Sequence, residues 1–287
     1  MTDYDNPARR LHAFLAAVRA HGQSGSGMGT VIGEYFGVEY PSDMPMLLRS
    51  LAPVYELPQQ VRDEVNALGW EESSSAVLIR HLPGIEGALG NLTLPQQILQ
   101  FNGQISDVAF ESLEHCGVIL GQFRPQRTLD SATIGDLRNT ISGLVADVMA
   151  ADELDESIAQ FMLDHLHELL WTLDSYKVSG IVPIEWAVQR AVGHAALDSA
   201  EAVRVQETDA GKRFWSTVAK VGMALNLVTG PLAIAQAAVP DAFPKAAQGG
   251  IVIDVPLPQD NGTVTVTRET HQPAPQRDAF DATQPAD

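Results

Sequence analysis

Asp164, His165, His167 and Glu168 put imidazoles and carboxylates within about one helical turn, the types a divalent ion takes. Spacing argues against a chelate. His165 and His167 stand roughly 200° apart around a helix and cannot face one ion, whereas Asp164 with Glu168 and His165 with Glu168 are neighbours. The cluster is read as ordinary helix-surface or core histidines, and no metal is expected. The run Gly22 to Thr30, GQSGSGMGT, has the glycine content of a phosphate cradle. A Walker loop requires lysine after its last glycine, where Met28 follows Gly27, and the dinucleotide pattern requires a preceding strand where a helix is expected. Gly22-Gln23-Ser24-Gly25-Ser26 ends in serine and so makes no nucleophile elbow. The run is read as a slack helix-to-helix loop.

The remaining candidates have structural explanations. Asp152, Glu153, Asp155 and Glu156 fall at a helix start, where exposed N–H groups and the macrodipole favour negative charge. His81, His115 and His194 have no Ser, Cys and Asp partners at a spacing that builds a triad. Cys116 sits on the apolar spacing of its helix, as a core thiol would. Trp171, Trp186 and Trp215 are read as core or interface residues. There is no catalytic signature, and no catalytic, cofactor-binding or metal-ligating residue and no cofactor is assigned.

The elements that position these residues are helical. Asn6 and Pro7 suit the N-cap and first position of a helix to about Ala20, with Leu11, Phe14, Leu15 and Val18 on one face. Thr30 to Phe36 resumes the apolar spacing. Met44 to Leu57 and Gln59 to Leu68 read as two short helices bounded by prolines. Ala76 to Leu82 is ambiguous between helix and strand, and Pro95 to about Phe123 fits one long or two short helices. Ile134 to Val148 repeats every three or four residues behind Asp130 or Ser131 as cap. Leu154 to Tyr176, with Asp152 as cap, is the strongest amphipathic pattern and stops at Gly180. Pro183 opens a further helix carrying Ile184, Ala187, Val188, Ala191 and Val192.

From Val221 to Val239 nineteen residues carry no charge. That approaches a membrane span, but Asn226, Gly230, Pro231 and Gln236 lower its hydrophobicity, and Lys220 and the Gly230-Pro231 pair can split it into a buried helical hairpin. If it spans, Lys212, Arg213 and Lys220 place the helical body inside. Ile251 to Val255 and Thr263 to Thr267 alternate about an Asp260-Asn261-Gly262 turn, a small β-hairpin, and from Thr270 the chain reads as a loose tail. The expected organisation is all-α: a multi-helix array over residues 1–205, a hydrophobic helical segment over 206–245, a hairpin over 246–269 and a disordered tail over 270–287.

At 287 residues and 45% hydrophobic content the chain can bury a sizeable core. A formal charge of −18 repels phosphate backbones, which argues against nucleic acid as a partner. A single cysteine permits no internal disulfide and no Cys-rich zinc site, and fits a reducing compartment. His12 and Arg19 interrupt the first apolar run, which therefore does not read as a signal peptide.

Asn6-Pro7-Ala8-Arg9-Arg10-Leu11, Val31-Ile32-Gly33-Glu34-Tyr35-Phe36, the Leu137 to Val148 helix, and Leu169 through Tyr176-Lys177-Val178-Ser179-Gly180 follow one another in order. Across about Asn6 to Leu197 the chain resembles a loosely defined bacterial group of helical proteins of unknown function. Its members often end in a hydrophobic segment, and their genes sit on accessory islands, some concerned with phage defence. The resemblance implies no active site. Three functions are then open. The first is a non-enzymatic regulatory or interaction protein, an accessory or phage-defence component acting through a protein partner in the cytoplasm. The second is an effector whose 221–239 segment inserts into the inner membrane, using Phe214 to Val239 as the contact. The third is an enzyme with a site assembled from scattered residues.

Overall fold

The computed structural model describes residues 5–21, 26–151, 154–197 and 199–227, which lie within one compact unit, Met1–Pro244; a second unit, Lys245–Asp287, falls outside the described residues. The hairpin at 246–269, the tail at 270–287, residues 228–239 of the apolar segment, Gly22 to Gly25, and the Asp152 cap all lie outside them as well. Among the described residues there are thirteen helices and no strand, as the all-α pattern predicts.

The first seven helices build one hydrophobic core. In α1 (Pro7–Ala20) the Asn6 side chain accepts from the Arg9 amide and Pro7 occupies the first turn, and the predicted face of Leu11, Phe14, Leu15 and Val18 is buried. The same Asn6 donates its amide to the Gly117 carbonyl on α7 at 2.9 Å, so one cap residue also fixes a helix pair. The second helix, α2 (Met28–Phe36), ends on Gly37 in the left-handed region. Expected as two short helices, Met44 to Leu68 instead forms one, α3 (Met44–Asn66), which runs through Pro53 and Pro58. Its buried stripe of Leu47, Leu51, Val54, Leu57, Val61 and Val65 keeps the helical period across both prolines, and that burial outweighs the hydrogen bonds they remove. The ambiguous Ala76 to Leu82 divides between α4 (Glu72–Ile79) and α5 (Leu82–Gly90). The stretch after Pro95 forms two helices, α6 (Ile98–Asn102) and α7 (Asp107–Phe123), the latter capped by Ser106.

The last six helices build around a second core. Asp130 caps α8 (Ser131–Met149), and Asp155 rather than Asp152 caps α9 (Glu156–Asp174). One turn, α10 (Tyr176–Ser179), follows, then α11 (Val182–Leu197), α12 (Ser199–Glu207) and α13 (Asp209–Ala224). In α13, Phe214, Trp215, Val218 and Val221 are fully buried, and Leu225 follows them into the same core as Leu144, Phe161 and Leu166. No helix among the described residues is long and apolar enough to cross a membrane.

The chain passes from the first half to the second between α7 and α8, and at α10 it returns to touch the first core. Val178 belongs to the first core although its neighbours in sequence serve the second. Gly180, at φ +71 and ψ −161, then turns the chain through a region essentially restricted to glycine. A Cβ there would collide with the Arg10 guanidinium, so α10 sits close against α1 only because this residue has no side chain.

Candidate functional site

The seam between the two halves is where buried charge, exposed aromatic surface and open volume coincide. At its floor Arg10 is 6% exposed and donates through Nη1 to Asp5 Oδ2 at 2.5 Å and Gln126 Oε1 at 3.3 Å. Burial raises the Asp5 carboxyl above its ordinary range even though the Arg10 charge opposes that shift, so desolvation is the larger effect and the pair positions the chain more than it stabilises it. A further bond ties the halves, Lys177 Nζ donating to the Tyr35 carbonyl at 3.1 Å, while the Leu129 amide donates to the Tyr176 hydroxyl at 2.7 Å within the second half.

Above this floor runs a groove of about 580 Å³ with α3 contributing one wall and α9 to α11 the other. Glu56, Asp63 and Glu64 line it from α3, and Trp171, Ser175, Ser179 and Trp186 line it from the second half. A second recess of about 560 Å³ adjoins it, sharing Arg49 and Trp171 and adding Met46, Asp164, His167, Glu168 and Asp174. At the junction the Arg49 guanidinium lies 4.1 Å from the centre of the Trp171 ring, in cation–π contact. Trp186 is 59% exposed. A tryptophan left this open on the wall of a groove between two cores is apolar area that folding has not used.

The carboxylates differ in what engages them. Glu64 is held by Arg124 and Gln126, Glu168 by Arg190 and Asp174 by Arg138. Among the described residues Asp63 and Asp164 accept side-chain hydrogen bonds from Gln59 and Gln160 alone. Glu56 has no hydrogen bond or ion pair among the described residues.

The sequence cluster Asp164, His165, His167 and Glu168 is split by the helix as its spacing requires. Asp164, His167 and Glu168 face the recess, whereas His165 points into the second core, 6% exposed. There its Nε2 and His194 Nδ1 lie 3.2 Å apart, within a ring cluster that includes Phe161 and Phe214. Burial, reinforced by the neighbouring His194, pushes the His165 imidazole down to about 4, so it is neutral across the physiological range. Among the described residues no group of three or more His, Cys, Asp and Glu side chains is placed to hold a metal ion. Cys116 is buried, with its thiol pushed up to about 11 by desolvation, and shares with His81 a cavity of about 10 Å³, room for a water at most. His115 is exposed on the same helix. Trp215 is fully buried, Trp171 half-buried and Trp186 exposed, so the three tryptophans divide between core and groove.

A more open cleft of about 710 Å³ on the other side of Arg10 is lined by Asp5, Arg9, Lys177 and Asp130. Its charges are engaged within the protein: Arg10 by Asp5, Lys177 by the Tyr35 carbonyl, and Asp130 by the Thr133 amide and hydroxyl. The groove of Trp186 and Glu56 is the better candidate, because there an aromatic ring and a carboxylate are both unoccupied.

Sequence reasoning placed Trp171 and Trp186 at core or interface positions but did not single out Arg49, Glu56, Asp63 or Glu64. A signal existed: Arg49, Pro53, Glu56, Gln60 and Asp63 recur every three or four residues opposite the buried stripe of α3. Reading a helix boundary at Pro58 breaks that row in two. Compared with protein-family models, with curated proteins and with solved structures, the chain finds no match.

Proposed function

We propose that the protein acts by binding another protein, a segment of which lies in the groove between its two helical halves. The observation that carries this reading is Trp186, exposed on the groove wall beside the Arg49–Trp171 stack. Tryptophan and arginine are among the side chains most enriched where binding energy concentrates, and clefts between packed helices are favoured sites for ligands. The two halves bury separate cores, so the groove between them is shaped by α10 and its contacts. A regulatory or accessory role of this kind fits the resemblance to helical proteins encoded on accessory and defence islands.

Insertion of the 221–239 segment into a membrane would have to withdraw Val221 and Leu225 from the second core, and membrane contact from Phe214 onward would withdraw Phe214, Trp215 and Val218 as well. Each of these buried side chains represents on the order of 1.5–3 kcal/mol.

The test is site-specific photocrosslinking in the native cell, with the reactive group placed at position 186 and, as a control, at Leu99, which is 70% exposed on the first half. A discrete adduct from position 186 that is absent from position 99 supports the proposal. Identical patterns from both positions count against it.

A further inference from the structure

We infer that the occupant of the groove is an arginine- or lysine-bearing segment of the partner, with one of its cationic side chains lying over the Trp186 indole and paired with Glu56; this rests on the docking reading above. The first support is that the groove already accommodates a guanidinium. Arg49 lies 4.1 Å from the centre of the Trp171 ring, in a recess walled by Asp164, Glu168 and Asp174, which is the aromatic-plus-carboxylate setting that favours a cation. The same two ingredients are duplicated further along. Trp186 has neither a ring nor a cation against it among the described residues, and Glu56 has no hydrogen bond or ion pair.

The second support is the balance of charge. Of the carboxylates lining the two connected spaces, Glu64, Glu168 and Asp174 are each matched by an arginine. Among the described residues Glu56, Asp63 and Asp164 have no ion pair, Asp63 meeting only the longer-range field of Arg62, which is itself paired with Glu86; Arg10 is matched by Asp5, which leaves Arg49 as the one described lining cation without a carboxylate of its own. Three carboxylates without an ion pair, one of them in the longer-range field of Arg62, against one such cation, within a chain of formal charge −18, attract a basic segment and repel an acidic or phosphorylated one. Because Glu56 belongs to α3 and Trp186 to α11, a side chain engaging both would bridge the two halves, so occupancy would also hold the seam closed.

The full chain, labelled with ¹⁵N, contains four tryptophans whose indole N–H signals can be followed separately, Trp186 being assigned with a Trp186→Phe variant. The probes are a peptide of Ala and Arg repeats, the same peptide with Glu for Arg, and an uncharged amphipathic peptide of Leu and Gln. The expected result is that only the arginine peptide moves the Trp186 signal, that added salt weakens the effect, and that Glu56→Lys lowers affinity by about tenfold. Glu56 is exposed, so Glu56→Lys should retain the parent's unfolding midpoint, which is measured in parallel. If the Leu and Gln peptide moves Trp186 while the arginine peptide does not, the basic occupant is ruled out and the groove stands as a docking site for another chemistry. An arginine peptide that leaves Trp186 unmoved at millimolar concentration, or that binds Glu56→Lys as well as the parent, overturns the inference outright.

Discussion

Replacing Gly180 by alanine tests how the halves are joined. The native backbone at φ +71 and ψ −161 lies where non-glycine residues are strained by about 1–3 kcal/mol. The new methyl would also meet the Arg10 guanidinium, the buried partner of Asp5. Breaking a buried ion pair by displacing one member is destabilising by about 3–5 kcal/mol when nothing compensates, and partial accommodation by the arginine lowers that figure. The expected loss for Gly180→Ala is therefore about 2–6 kcal/mol. Urea unfolding followed by circular dichroism measures it, with Gly193→Ala as the control. Gly193 lies within α11 with open space at its Cβ position, and alanine there should stabilise by about 0.5–1 kcal/mol. In a background carrying Arg10→Ala and Asp5→Asn the colliding pair is gone, and Gly180→Ala should lose only the backbone part, about 1–3 kcal/mol. Strict additivity across the three variants, or a loss below about 1 kcal/mol for Gly180→Ala alone, would refute the close approach of α10 to Arg10.

Three further outcomes follow from the two cores and the groove. His165 is held neutral with its imidazole pushed down to about 4, so an unfolded chain binds a proton below its ordinary value of 6.5 that the folded chain does not; stability should fall as pH drops from 6.5 towards 4, by up to about 3 kcal/mol, and His165→Leu should flatten that dependence in urea titrations. Trp186→Ala, at an exposed position, should change unfolding free energy by no more than about 0.5 kcal/mol, whereas Trp215→Ala should cost about 3–5 kcal/mol. A chain ending at Leu227 should keep the cooperative thermal transition of the second half, and one ending at Gly211 should lose it, because the shorter chain lacks Phe214, Trp215, Val218 and Val221.

Local patterns that repeat along one helix were legible from sequence, and features created by distant residues were not. The Asn6 cap and the Leu11 to Val18 face are local patterns that the structure contains, and the Leu154 to Tyr176 stripe is present from Ile158 to Leu173 on α9, which ends at Asp174 and leaves Tyr176 on the separate turn α10. The geometric argument that His165 and His167 point apart also needed only the helical period, and the two residues lie on opposite sides of α9. The continuity of α3 was hidden because Pro53 and Pro58 are local breakers, whereas the burial that overrides them comes from the surrounding helices. Gly180 was recognisable as a helix stop, yet the reason for glycine there is Arg10, 170 residues earlier in the chain. The groove shares that origin. Trp186 occupies an exposed position of a helix that is otherwise buried through Ile184, Ala187 and Val188, and it shares a space with Glu56 only because the two halves pack side by side.

The proposal that a partner docks at the seam is tested most directly by quantitative co-purification from the native cell, using tagged parent, Trp186→Ala and Leu99→Ala chains of equal thermal stability. A discrete partner should be recovered with the parent and with Leu99→Ala, and be depleted by about tenfold or more with Trp186→Ala, the loss expected when an aromatic anchor is truncated. Equal recovery of the same partner by all three would contradict a role for the groove.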